Sequence, residues 1–145
     1  MLTKQDPIVV ANELRPLLLQ INRHLRRELA PLGITAVQAA LLHAIRTTPG
    51  IGSRALADRE GMSKPAMTTA IDRLETAGLV RRSRSARDAR CVELELTEKG
   101  QRVSRSARSR RTAWLASRLE RLEPGELAAI ADAVAPLRQL LEEGA

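Results

Sequence analysis

The stretch SRALADREGMSKPAMTTAIDRLETAG, residues 53–78, decides how the rest of the chain is read. Two short segments with apolar spacing flank EGMS, residues 60–63. Gly61 permits a sharp turn there. Ser63 suits the N-cap of a following helix, and Pro65 falls in that helix's first turn, where its missing N–H is tolerated. Met67, Ala70, Ile71 and Leu74 recur at three- and four-residue steps and predict the inner face. Ser63, Lys64, Pro65, Thr68, Thr69 and Arg73 are left on the outer face, all but the two cations short. In the preceding helix, about Ser53 to Glu60, Ala55, Leu56 and Ala57 allow close packing. The pattern predicts a helix-turn-helix whose second helix, about 63–77, enters the major groove of duplex DNA. An ordinary helical hairpin is the alternative.

The segment after Gly78 favours the helix-turn-helix. Val92, Leu94 and Leu96 alternate with Cys91, Glu93 and Glu95, the period of a strand. Leu79 to Arg84 supplies an antiparallel partner, with SARDA, residues 85–89, as the connecting turn. A basic hairpin after a helix-turn-helix predicts a wing, about 79–96. Its Arg84, Arg87 and Arg90 are placed to meet phosphate or enter a minor groove. Asp88 would repel phosphate, so its predicted role is to pair with Arg90 and support the wing.

Outward from this centre the elements are helical. Asp6 and Pro7 open a first helix carrying the stripe Leu14, Leu18, Ile21, Leu25 and Leu29, interrupted by Pro16 and ended by Pro31 and Gly33. Pro16 is expected to kink or divide it. TAVQ, residues 35–38, is a capping box before a second helix with Val37, Leu41, Ala44 and Ile45 inside. Thr97 caps a fifth helix reaching about Arg121, with Val103, Ala107, Trp114, Leu115 and Leu119 apolar. Glu123 and Pro124 start a sixth, with Leu127, Ile130, Val134, Leu137 and Leu141 in register. The fold class is therefore mainly α with a small β-wing. Residues 1–34 form an N-terminal dimerisation helix, 35–100 the winged lobe, and 101–145 the C-terminal helices. The stripes Leu14/Leu18/Ile21/Leu25 and Leu127/Ile130/Val134/Leu137/Leu141 exceed what so small a lobe can cover. They predict a homodimer.

The 145 residues carry 24 basic and 17 acidic side chains. Residues 80–112 hold 11 of the bases against 4 acids, so the excess is concentrated around the hairpin and the helix after it. A polyanion-binding face explains this, and so does a solvated charged helix; the run Arg105, Arg108, Arg110, Arg111 fits either. Phe and Tyr are absent and Trp114 is the one aromatic, which argues against stacking platforms for single strands. Cys91, the single cysteine, fits a reducing cytoplasm and is read as a bystander rather than a redox sensor. No membrane span or secretory signal is expected. His24 and His43 have no Cys or carboxylate at ligand spacing and are read as structural, so no metal is predicted. No catalytic constellation or cofactor motif is present, so no enzyme is expected. A DNA-binding architectural protein without sequence preference remains the alternative function.

The run LADREGMSKPAMTTAIDRLETAGLVRR, the Asp88-x-Arg90 element of the wing and LTEKG, residues 96–100, together resemble the MarR-type transcriptional regulators. The likeness covers Thr35 to Val103 in detail and the flanking helices in outline. It implies a triangular homodimer with interleaved terminal helices, a pseudo-palindromic duplex near a promoter as target, and often release by a small-molecule effector. It also implies that Arg90 is the wing residue entering the minor groove. Members often carry Arg directly after the threonine at 68; Thr69 stands there instead, so base preference does not transfer. Pro16 and Pro136 are further departures.

Overall fold

The computed structural model describes residues 5–85, 87, 88 and 90–142. Ala86 and Ala89, within the expected SARDA turn, lie outside the described residues. The elements are α1 (Pro7–Arg27), a 3-10 turn (Ala30–Leu32), α2 (Ala36–Thr47), α3 (Ser53–Glu60), α4 (Lys64–Thr76), β1 (Val80–Arg84), β2 (Val92–Leu96), α5 (Glu98–Leu119) and α6 (Pro124–Gln139). Two compact units share the chain, with the boundary after Arg111, so α5 begins in the first and ends in the second.

Helix starts follow local chemistry. Asp6 Oδ1 accepts from the Ile8 amide at 2.9 Å and opens α1. The division expected at Pro16 does not occur, and α1 continues through it as one helix. Proline there deprives the Asn12 carbonyl of its partner, and both residues are exposed, so water can satisfy it. The helix stops at Arg27, earlier than Pro31, and the 3-10 turn buries Leu29 beside it. At α2, Thr35 Oγ1 accepts from Gln38 N at 3.1 Å while Gln38 Oε1 accepts from Thr35 N at 2.9 Å, completing the capping box.

The core of the first unit joins Leu41, Leu42 and Ile45 of α2 to Leu56 and Ala57 of α3, Met67, Ile71 and Leu74 of α4, and Leu94 of β2. Each large apolar side chain so buried contributes roughly 1.5–3 kcal/mol. Three residues expected to pack inward are not in it. Val37 is 54% exposed, because it lines the surface cleft beside Pro65 and Thr69 of α4 rather than the core. Ala55 is exposed, since Leu56 and Ala57 alone face inward on so short a helix. Val92 is 44% exposed: it pairs with Arg84 at the outer end of the ladder, beyond the helices that cover Leu94 and Leu96.

β1 and β2 pair antiparallel with Val80 opposite Leu96 and Arg82 opposite Leu94. Leu94 N donates to Ile51 O at 2.9 Å and Gly52 bridges Glu93, so the link between α2 and α3 lies along the free edge of β2. The start of α5 is fastened to the end of α4. Thr97 Oγ1 accepts from Gly100 N at 3.0 Å and donates to Gly78 O, and Lys99 Nζ donates to Ala77 O at 2.9 Å. Gly100 lies against the Leu79 carbonyl, where a Cβ has no room.

In the second unit, Glu123 and Glu126 form a capping box that starts α6, which runs through Pro136. The Arg118 guanidinium carbon lies 5.1 Å from the centre of the Trp114 ring. Leu127, Ile130, Val134 and Leu137 are all exposed in the single chain. Leu141, expected to continue this stripe, falls beyond the end of α6 and is the most exposed of the large apolar side chains among the described residues.

Candidate nucleic-acid interface

α4 presents Lys64, Pro65, Thr68, Thr69 and Arg73 to solvent while Met67, Ile71 and Leu74 anchor it. Ser63, also exposed, caps the helix by accepting from Ala66 N at 3.2 Å. Its oxygen is thus committed to the fold and its hydroxyl proton remains available. A cleft of about 600 Å³ runs beside this face, lined by Val37, Gln38, Met62, Pro65, Thr69 and Arg73.

The wing brings its three arginines together at one end of the two-stranded sheet. Arg84 closes β1, and Arg84, Arg87 and Arg90 are exposed. Asp88 accepts from the Arg90 amide at 3.0 Å and from Arg90 Nε at 3.2 Å. The Arg90 amide first, then its guanidinium, hold the Asp88 carboxyl below the ordinary carboxylate value. Arg90 nonetheless keeps its side chain 91% exposed, so the contact orients the guanidinium without hiding it. Cys91 Sγ lies 3.7 Å from Asp88 Oδ2, on an exposed part of the hairpin.

Sequence reasoning assigned no role to Arg82. Its Nη2 meets Asp72 Oδ1 at 2.7 Å and its Nη1 meets Glu75 Oε1 at 3.0 Å, joining β1 to α4. The signal was present as two acids three residues apart on α4, Asp72 and Glu75, followed by the basic pair Arg81 and Arg82. The Arg105–Arg111 run divides. Arg110 Nε donates to Glu28 O at 2.9 Å and Arg111 Nε to Ala107 O at 3.2 Å, while Arg105 and Arg108 stay exposed.

A MarR family model matches residues 34–92, from just before α2 to the first residue of β2. Transcriptional regulator HosA of Escherichia coli O127:H6 is 34% identical over 96 residues, 66% of this chain and 70% of that protein. The chain belongs to the MarR family. Over an HTH-type transcriptional repressor of Mycobacterium bovis and the regulator YfiV of Bacillus subtilis, 33% and 34% identical, the chain spans little more than half of their length, 57% and 54%. Among solved structures, a MarR family protein from Bacillus stearothermophilus matches this MarR-family chain with a TM-score of 0.85 at 22% identity, covering 99% of this chain and 100% of that one. A mutant of Staphylococcus aureus MepR, bound to an oligodeoxyribonucleotide, matches with a TM-score of 0.70 at 18% identity, covering 92% and 98%. These two likenesses are of fold: mainly helical, with the two-stranded wing.

Among the described residues, no group of three or more His, Cys, Asp or Glu could hold a metal ion, and no single helix is long and apolar enough to cross a membrane. His43 Nδ1 lies 3.1 Å from Arg46 Nη2, so the ring accepts there and carries its proton on Nε2. Partial burial first, then the charges of Arg46, Arg59, Arg108 and Arg111, hold His43 below the ordinary imidazole value of 6.5. The folded protein keeps His43 neutral at a pH where the unfolded chain takes up a proton. Stability is therefore full above pH 6.5 and declines as pH falls through 6.5 toward the lowered value. Urea midpoints at pH 7.5 and 5.5 are expected to differ less in His43→Gln than in the parent protein.

Proposed function

We propose that this MarR-family chain is a sequence-specific, double-stranded DNA-binding transcriptional regulator, acting in the cytoplasm as a homodimer on a pseudo-palindromic operator. The observation that carries the reading is the capped, core-anchored α4 with short exposed side chains, set beside a hairpin bearing Arg84, Arg87 and Arg90. Ser63, Lys64, Pro65, Thr68 and Thr69 are the major-groove residues of this proposal, and Arg73 is chiefly a phosphate contact. Arg84, Arg87 and Arg90 serve the flanks, with Arg90, oriented by Asp88, entering an A/T-rich minor groove. The stripe of α1, exposed at Leu18 and Ile21 and half-buried at Leu14 and Leu25, and the exposed stripe of α6 supply the surface for the second copy, which sets two half-sites about one helical turn apart. Repression with release by a small-molecule effector follows the habit of the family, and no cofactor or enzymatic activity is part of the reading.

Competition decides it. The protein is expected to retain a duplex selected from a random library against a large excess of unselected DNA. Equal displacement by any DNA would make it an architectural binder instead. Thr69→Ala is expected to change the selected sequence, because its hydroxyl and methyl read base edges. Arg73→Ala is expected to weaken all duplexes alike and to flatten the salt dependence by about one unit. An unchanged selected sequence for Thr69→Ala would place the reading face elsewhere on α4.

A further inference from the structure

We propose that Arg82 is a positioning residue that locks the wing to the recognition helix α4 and holds the Asp72 carboxylate back from the duplex. The proposal rests on the DNA-binding reading and adds to it a residue that touches no DNA.

Asp72 lies three and four residues beyond Thr69 and Thr68, so it shares their helical face. It lines one surface cleft with Thr69, Arg73 and Thr76. Glu75 adds a second negative charge one turn on. A helix that approaches two strands of phosphates thus carries two acids at its working side, which by itself opposes binding. Arg82 answers both. It stands on the same side of β1 as the buried Val80 and opposite the buried Leu94, so its stem leaves the sheet toward the core and its head reaches α4. Two nitrogens of one rigid plane then hold carboxylates on successive turns of the helix, at 2.7 and 3.0 Å. A planar fork held at two points fixes the rotation of β1 relative to α4; a lysine, with one point charge, cannot. The side chain is 31% exposed, well below the 59% of Asp72, so the guanidinium is set inside the junction rather than toward solvent. Exposed ion pairs add little to stability. The contribution here is to the placement of the Arg84–Arg90 tip.

The test uses full-length protein and a duplex selected by the parent from a random library. Arg82→Ala is expected to bind it on the order of tenfold more weakly at fixed salt. The hydroxyl-radical footprint loses its flanking, wing-derived protection and keeps its central part. The salt slope stays the same, whereas a lost phosphate contact lowers it by about one. Arg82→Lys loses the flanking protection as well. Asp72→Asn with Glu75→Gln, which leaves Arg82 in place and makes the protein more positive, also loses it and binds more weakly. In the free protein, amides of β1 and β2 exchange faster in Arg82→Ala. Unchanged wing exchange, an intact flanking footprint in Arg82→Lys, a slope lowered by one, or tighter binding by the Asp72/Glu75 double variant would each overturn the proposal. If the parent itself retains no duplex, the DNA-binding reading falls, while the exchange measurement still decides whether Arg82 holds the wing.

Discussion

Gly100→Ala is expected to destabilise the protein by about 1–3 kcal/mol or more, although it places a better helix former inside α5. A Cβ at this position would overlap the Leu79 carbonyl oxygen and crowd the Leu79 carbonyl carbon and Cα. The obstacle is backbone, which yields only if α5 lifts away from the chain that leaves α4. That chain is held by the bonds of Thr97 and Lys99 to Gly78 and Ala77, so the strain spreads into the end of the recognition helix. Roughly 3–12 °C of the thermal midpoint is the corresponding loss. Gly125→Ala in α6 is the control, because nothing lies within 4 Å of the Cβ it would add. There the helix-propensity gain acts alone, and the midpoint is expected to hold or rise slightly. Equal midpoints for the two variants would show that the Gly100 contact relaxes freely.

The second large effect lies in α6. Ile130→Glu combined with Val134→Glu puts two charges into the middle of a stripe that, in the proposed homodimer, a second copy covers. Both residues are already exposed in the single chain, so the folded lobe has no reason to lose its helices. The assembly does, because burying unpaired carboxylates is costly. A monomer in sedimentation is the expected result, with DNA affinity reduced by about 10²–10⁴, the range over which two linked half-site contacts exceed one. Retained dimer and full affinity would mean that the two copies meet elsewhere. Circular dichroism matching the parent confirms that the loss is of association and not of folding.

Features decided within a few residues could be read directly from the sequence. Asp6, Thr35 and Ser63 mark helix starts because a cap bonds only to its own first turn, and Gly61, with φ of 65°, ends α3 because a left-handed conformation suits glycine. Periodicity located Met67, Ile71 and Leu74 for the same reason. It misplaced Val37 and Val92, since a repeat says which residues share a face and not how far the neighbouring element extends over it. Pro16 does not divide α1, because an exposed helix meets the local cost of proline with solvent. The two acids that Arg82 meets stood in the sequence, but neither its reach across to α4 nor the approach of Gly100 to Leu79 could be read from them. Each depends on how the hairpin folds back, a matter of tertiary approach that no spacing records.

Trp114, the one aromatic ring, stands in α5 about four turns beyond Gly100, past the boundary at Arg111 and beneath the Arg118 guanidinium. All tryptophan emission from this protein therefore originates in one place, remote in sequence from α4 and the wing. The molecule comes with its own optical gauge. With no Phe or Tyr to add background, an emission shift on adding DNA measures a disturbance carried along α5, and an unchanged spectrum locates the response within the lobe that makes contact.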